Sequence, residues 1–128
     1  RELQAGAYIA SLVKDSLPVA VLAPVLFLIA SAVAFAIGSS WGTFALMIPL
    51  AVQASTVVGI PVELLIAAVL SGGVFGDHAS PISDTTVIAS MAADVDHIEH
   101  VRTQLPYALI AGMISVLGFF LLSLFMVA

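Results

Sequence analysis

Apolar side chains in this sequence come in long uninterrupted blocks separated by short polar breaks, with no strand-like alternation along the chain. Not one charged residue occurs between Ser16 and Val62, nor between Tyr107 and Ala128. A helix that crosses the hydrocarbon core of a bilayer needs about 20 apolar residues. The second block therefore predicts one span, and the first has room for more than one. The residues before it, Arg1 to Asp15, read as an amphipathic stretch or the tail of an upstream helix, with Lys14 and Asp15 at a water interface. Ser16 is placed to cap the helix that follows, and Pro18 falls in its first turn, where a missing N–H costs nothing. This apolar helix is predicted over 17–37, with Pro24 a kink point that neighbouring helices tolerate.

The run is interrupted by Gly38-Ser39-Ser40-Trp41-Gly42-Thr43. Two glycines flanking hydroxyl residues favour irregular backbone, so 38–43 is read as a polar tip. The apolar segment 44–58 is short for a full span, which fits a half-helix or the returning arm of a re-entrant hairpin. Gly59-Ile60-Pro61 stops one helix and opens another. Apolar sequence then continues to Phe75, gives way to a polar stretch over 77–86, and resumes from Val87 to Ala93. Residues 61–93 are read as one discontinuous transmembrane helix broken at 77–86. A polar loop over 94–105 holds most of the remaining charge, and Pro106 opens a final transmembrane helix over 106–128.

Composition strengthens this picture. The chain is 62% hydrophobic and 9% charged, against roughly 25% charged residues in a water-soluble domain. Its surface is solvated by lipid, and the fold class is all-α integral membrane. Eight acids against three bases give a net charge of −5, the wrong balance for nucleic-acid binding. With no cysteine there is neither a disulfide framework nor a thiolate metal site. A sequence that opens on Arg1 and closes in an apolar helix reads as a fragment of a polytopic transporter. Its partners are then the bilayer and an N-terminal half of the same chain, with a homodimer left open. Three bases are too few to orient it by loop charge.

The polar stretch from Asp77 to Thr86 is the strongest chemical feature. It carries two carboxylates (Asp77, Asp84), one imidazole (His78) and four hydroxyls (Ser80, Ser83, Thr85, Thr86) between apolar flanks. Irregular backbone at membrane depth persists only inside protein or beside a wet cavity. A charge there costs at least about 2.5 kcal/mol, a cost usually retained for handling ions. Hard cations such as Na⁺ take oxygen ligands, and a broken helix supplies hydroxyls together with freed carbonyls. A carboxylate that binds either a proton or Na⁺, never both, couples the two fluxes. Asp84 is the first choice for that exchange and Asp77 the second, with His78 a proton relay or a structural hydrogen-bonder. The competing reading is an extramembrane loop in which Asp84 caps the next helix. The tip residues Ser39, Ser40 and Thr43 form either a second half-site or a tight turn with Trp41 at the headgroup level.

Other polar residues have plainer explanations. Glu63 follows Pro61 in a first turn, where the helix dipole favours an acid. Asp96 and Glu99 match a capping box. His97 and His100 share a helical face, but no second pair completes a metal set. Gly72-Gly73 allows close helix packing, and Arg102 anchors a loop at the interface.

Three segments in register resemble one family: Gly-Ser-Ser-Trp-Gly-Thr (38–43), Gly-Asp-His-Ala-Ser-Pro-Ile-Ser-Asp-Thr-Thr (76–86) and Asp-His-Ile-Glu-His-Val-Arg-Thr-Gln-Leu-Pro-Tyr-Ala (96–108). Together they are similar to the Na⁺/H⁺ antiporters of the NhaC type, members of the ion-transporter superfamily. The resemblance implies a multi-pass protein of the cell (inner) membrane that exchanges Na⁺ for H⁺ without a cofactor. It also implies a re-entrant helical hairpin with its tip at 38–43, meeting a helix broken at 77–86 near the bilayer midplane. Ser80, Ser83, Asp84, Thr85 and Thr86 would hold the cation with Ser39, Ser40 and Thr43, and Asp84, Asp77 and His78 would couple protons. Relatives that resemble malate/lactate antiporters make an organic anion the nearest alternative substrate. Two further readings stand apart from the resemblance: an intramembrane metallohydrolase built on His78, Asp77 and Asp84, and a purely structural membrane subunit.

Overall fold

The computed structural model describes residues 18–127, and the expected interfacial stretch Arg1–Asp15 and cap at Ser16 lie outside them. Five α-helices follow a 3-10 turn at Val19–Val21: α1 (Leu22–Ile37), α2 (Ser40–Val58), α3 (Val62–Ala79), α4 (Asp84–Ala92) and α5 (His97–Val127). There is no strand among the described residues. Four helical segments (Val19–Ile37, Ser40–Val58, Val62–Ala79 and His97–Met126) are long and apolar enough to cross a membrane.

Several expected boundaries move, each for a local reason. Pro24 is the third residue of α1, inside the first turn, where no intrahelical N–H bond is lost and no kink is required. The polar tip shrinks to Gly38 and Ser39. Gly38 takes the left-handed conformation (φ 71°) and bonds back to the Ala34 carbonyl at 2.7 Å. Ser39 is extended and its hydroxyl accepts from the Gly42 N–H at 3.4 Å, an N-cap. Ser40 to Thr43 are therefore helical, and α2 reaches 19 residues rather than the half-length of 44–58. All four long helices have spanning length, so nothing in the arrangement marks α1 and α2 as a re-entrant pair. The polar loop expected over 94–105 is also largely helical. Asp96 Oδ1 accepts from the Glu99 N–H at 3.1 Å and starts α5 early, leaving Pro106 inside the helix.

Two short turns set the topology. Gly38-Ser39 reverses the chain between α1 and α2, and Gly59, again left-handed (φ 78°), reverses it between α2 and α3. The hydroxyl of Ser55 steadies the second turn by donating to the Ile60 carbonyl at 2.7 Å. α1 and α3 consequently run parallel, with their C-terminal ends together.

Small residues dominate the contact between those two helices. Ala23, Ala30 and Ala34 of α1 and Ala68 of α3 are fully buried. A methyl group on Gly72 would run into the Phe27 carbonyl, and one on Gly76 into the Ser31 carbonyl. Between helices in lipid no water is released by burying apolar surface, so association rests on close van der Waals approach, which small residues permit. α2 packs on the same helix with Phe44 against Gly73, and α5 with Gly112 against Phe75. Phe27 lies between Phe75 and Phe119 at 5.8 Å from each ring. The outward faces are apolar too, with Val74, Ile110, Met113, Leu117, Leu121 and Phe125 exposed, as lipid contact requires.

A backbone obstacle offers no rotamer escape, so Gly72→Val and Gly76→Val should each destabilise the full-length protein by at least the ~1–3 kcal/mol typical of overpacking. Gly118→Ala, with nothing within 4 Å of the added carbon, should not lower the thermal midpoint in detergent, since alanine is the better helix former.

Candidate cation site at the helix break

The helix from Val62 does not stop at the first polar residue. It carries Asp77 and His78 in its last turn and ends at Ala79, leaving only Ser80-Pro81-Ile82-Ser83 non-helical. Pro81 is the cause. It disfavours helical backbone at the residue before it, and Ser80 is accordingly extended (φ −76°, ψ 129°). Polar content and helix breaking are distinct properties, which is why the break is shorter than the 77–86 stretch. α4 then starts on Asp84.

The two interruptions of the chain meet. Ser80 Oγ donates to the Phe35 carbonyl at 2.8 Å, and a methyl group on Gly38 would lie 2.9 Å from the Ile82 carbonyl oxygen. Four helix ends thus share one level: the C-termini of α1 and α3 and the N-termini of α2 and α4.

At this level lies the only carboxylate buried among the described residues. Asp77 is 7% exposed. Its Oδ1 accepts from Ser83 Oγ at 2.6 Å and its Oδ2 from Thr85 Oγ1 at 3.3 Å, while the two hydroxyls lie 2.7 Å from one another. Ser83 is fully buried. Asp84, the sequence's first choice, is exposed on the first turn of α4, with its Oδ1 accepting the Thr85 N–H at 2.8 Å. Thr86 is buried and donates to the His78 carbonyl at 3.4 Å. The His78 ring is exposed and lines a groove of about 590 Å³ between α3 and α5, with Ser71, Phe75 and Ser115.

The tip residues stay apart from the Asp77 cluster. Thr43 is fully buried but donates to the Ser39 carbonyl at 3.0 Å, and Ser39 caps α2. No hydrogen bond among the described residues joins Ser39, Ser40 or Thr43 to Asp77, Ser83 or Thr85. The tip reaches the break through Gly38 and Phe35 instead.

Two residues that sequence reasoning placed elsewhere act here. His97, weighed as half of a histidine pair, has its Nε2 2.6 Å from the Pro81 carbonyl and its Nδ1 3.2 Å from Ser90 Oγ. Gln104, read as the end of a loop, donates through Nε2 to the His78 carbonyl. Their spacing of seven residues puts both on one helix face, a pattern visible only once 97–104 is known to be helical.

No three His, Cys, Asp or Glu side chains gather into a metal cluster among the described residues. The Asp77 cluster offers one buried carboxylate and two hydroxyls, an all-oxygen set of the kind that hard cations take.

Four helices of spanning length around a polar break are the architecture of a multi-pass membrane protein. The chain is a member of the Na⁺/H⁺ antiporter family, whose sequence pattern matches residues 1–124. It is 45% identical over 96 residues to an arginine/ornithine antiporter of Halobacterium salinarum, covering 75% of this chain and 20% of that protein. A malate-2H⁺/Na⁺-lactate antiporter of Bacillus subtilis is 39% identical over 97 residues, 72% of this chain and 21% of its own length. The Na⁺/H⁺ antiporter NhaC of the same organism is 33% identical over 86 residues, 67% and 19% respectively. The chain thus spans about a fifth of the length of these curated relatives. No solved structure matches it. The family and these relatives are antiporters and not enzymes, which removes the metallohydrolase reading and makes this a multi-pass cell-membrane protein.

Loss of a donor to a buried carboxylate typically costs about 1–3 kcal/mol. Ser83→Ala should therefore lower the thermal midpoint of the detergent-solubilised full-length protein. Ser115→Ala, which removes only a back-bond to Ala111 on an exposed stretch of helix, should not.

Proposed function

We propose that this chain supplies cation-coordinating elements of an antiporter that exchanges Na⁺ for H⁺. The observation that carries the reading is the Asp77 carboxylate, buried where four helix ends meet and collared by the hydroxyls of Ser83 and Thr85. Those hydroxyls donate to the carboxylate in the arrangement described. An arriving Na⁺ turns them, so that their lone pairs and the carboxylate oxygens face the ion together. A proton on Asp77 puts an O–H where the ion needs a lone pair. Proton and cation therefore exclude one another on the same oxygens, and that exclusion is the coupling.

Asp84 keeps a second carboxylate open at the N-terminal end of α4, as the entry point for the ion, and Thr86 and Ser80 shape the wall behind it. Ser39, Ser40 and Thr43 belong to the opposing tip, and a shift of tip against break would bring their oxygens into the coordination shell. The exchange is completed by parts of the protein beyond this fifth of its length, and the reading places the break at membrane depth.

A second reading follows from the relatives. Identity is higher to the arginine/ornithine and malate/lactate antiporters than to NhaC, which favours an organic solute as one of the exchanged species. The N-terminal ends of α2 and α4 would then face its carboxylate, as helix N-termini do in other broken-helix transporters.

Asp77→Asn and Asp84→Asn in the full-length protein should each reduce Na⁺-dependent proton flux in everted vesicles by about tenfold or more, since each removes a formal charge that the ion would meet. Normal flux in a well-expressed Asp77→Asn protein overturns the site. Proteoliposomes offered radiolabelled sodium, malate, lactate, arginine or ornithine separately decide between the two substrate readings.

A further inference from the structure

Of the four residues between α3 and α4, Ser83 gives its carbonyl to the Val87 N–H of α4 at 3.0 Å, but those of Ser80, Pro81 and Ile82 lie outside any helix, and α3 ends with unpaired carbonyls of its own. In an apolar setting each needs a donor. Local backbone supplies two: the Ser80 N–H bonds the Asp77 carbonyl at 3.1 Å, and the Ser83 N–H bonds the Ser80 carbonyl at 3.4 Å. Two more are met by side chains, and Thr86 of α4 shares the His78 carbonyl with α5. His97 reaches the Pro81 carbonyl and Gln104 the His78 carbonyl.

A carbonyl oxygen only accepts, so the His97 nitrogen facing Pro81 is the protonated Nε2. The other ring nitrogen then accepts, and the buried Ser90 hydroxyl of α4, 3.2 Å from it and 2.8 Å from the Val87 carbonyl, donates to one of the two at a time. One imidazole thus ties three elements: the break, α4 and the start of α5. Gln104, two turns further along the same face of α5, fixes the end of α3. The Asp77 cluster draws its ligands from both sides of this join, Asp77 from α3, Ser83 from the break and Thr85 from α4. Its geometry survives only while α3 and α4 keep their relative placement.

We propose that His97 and Gln104 are positioning residues, which clamp one carbonyl within the break and one just before it, and so hold Asp77, Ser83 and Thr85 in the shape that the cation meets. Neither side chain touches the carboxylate. The clamp is independent of which ion is carried, and only its transport readout rests on the antiport reading above.

The test uses the full-length protein and four variants. His97→Gln keeps an N–H donor at the position of Nε2, His97→Asn reaches only toward Ser90, and Gln104→Met keeps length without a donor. His97→Ala removes both contacts. Hydrogen exchange read by mass spectrometry should rise about tenfold in the peptide covering residues 80–86 for His97→Asn, His97→Ala and Gln104→Met. His97→Gln should match the parent, and peptides within residues 62–74 should be unchanged in all four. In everted vesicles the loosened variants should show an apparent KM for Na⁺ raised about fivefold with Vmax within about twofold, the pattern of lost binding geometry rather than lost chemistry. Parent-like exchange at the break in both His97→Asn and Gln104→Met overturns the clamp, as does His97→Gln loosening as much as His97→Asn. If exchange changes as expected but the parent itself carries no Na⁺-coupled flux, the clamp stands and the antiport reading falls.

Discussion

Everything in this bundle depends on how closely α1 and α3 approach. Gly72 and Gly76 lie against the carbonyls of Phe27 and Ser31, with no room for a side chain between. Four residues apart, they form a stripe along one face of α3, and that stripe fixes the rotation of the helix about its axis. Once Gly76 faces Ser31, Asp77 is carried into the protein and Val74 is left outside. Ser31 cooperates by donating its hydroxyl at 2.6 Å to the Phe27 carbonyl, the same carbonyl that Gly72 packs against. The same approach puts the end of α3 beside the end of α1, where Ser80 finds the Phe35 carbonyl. A wider helix pair would break that bond and separate the two polar interruptions.

Several carbonyls at the break are met within the protein, by backbone turns, by Thr86 of α4 and by side chains of α5. That explains why the polar start of α5 is helical. An extended loop from 94 to 105 would not hold His97 and Gln104 on a common face two turns apart. The capping carboxylate of Asp96 lets the helix begin early enough to place both. A cap at one end of the connection thus serves the shape of a site that it does not touch.

The parts of this structure legible in the sequence are those governed by local chemistry. Uncharged blocks of spanning length and glycine-proline stops can be read without knowing any partner, since each concerns a residue and its near neighbours. Register between helices cannot be read that way. The α1–α3 seam depends on Gly72 and Gly76 meeting particular carbonyls of another helix, and an all-round apolar helix shows no moment that would reveal its inner face. The choice between Asp77 and Asp84 turns on that same register. Asp84 stands amid hydroxyls in the sequence and looks the better ligand there, whereas burial of Asp77 follows from the glycine beside it. His97 and Gln104 were hidden differently, because charged neighbours made a helical segment resemble a loop.

The electrostatics of the junction follow from its topology. Two helix C-termini and two N-termini share one level, each carrying roughly half an elementary charge of dipolar origin. Ends of opposite sign largely offset one another, so the fixed dipoles leave the junction near balance rather than committed to either sign of ligand. The formal charge on Asp77 then decides the balance. That charge is met by the hydroxyls of Ser83 and Thr85, while amides at the two N-termini are engaged locally, Gly42 by the Ser39 hydroxyl and Thr85 by the Asp84 carboxylate. On the antiport reading proposed above, the preference of the junction for one sign of ligand rests on that carboxylate and not on the helix dipoles.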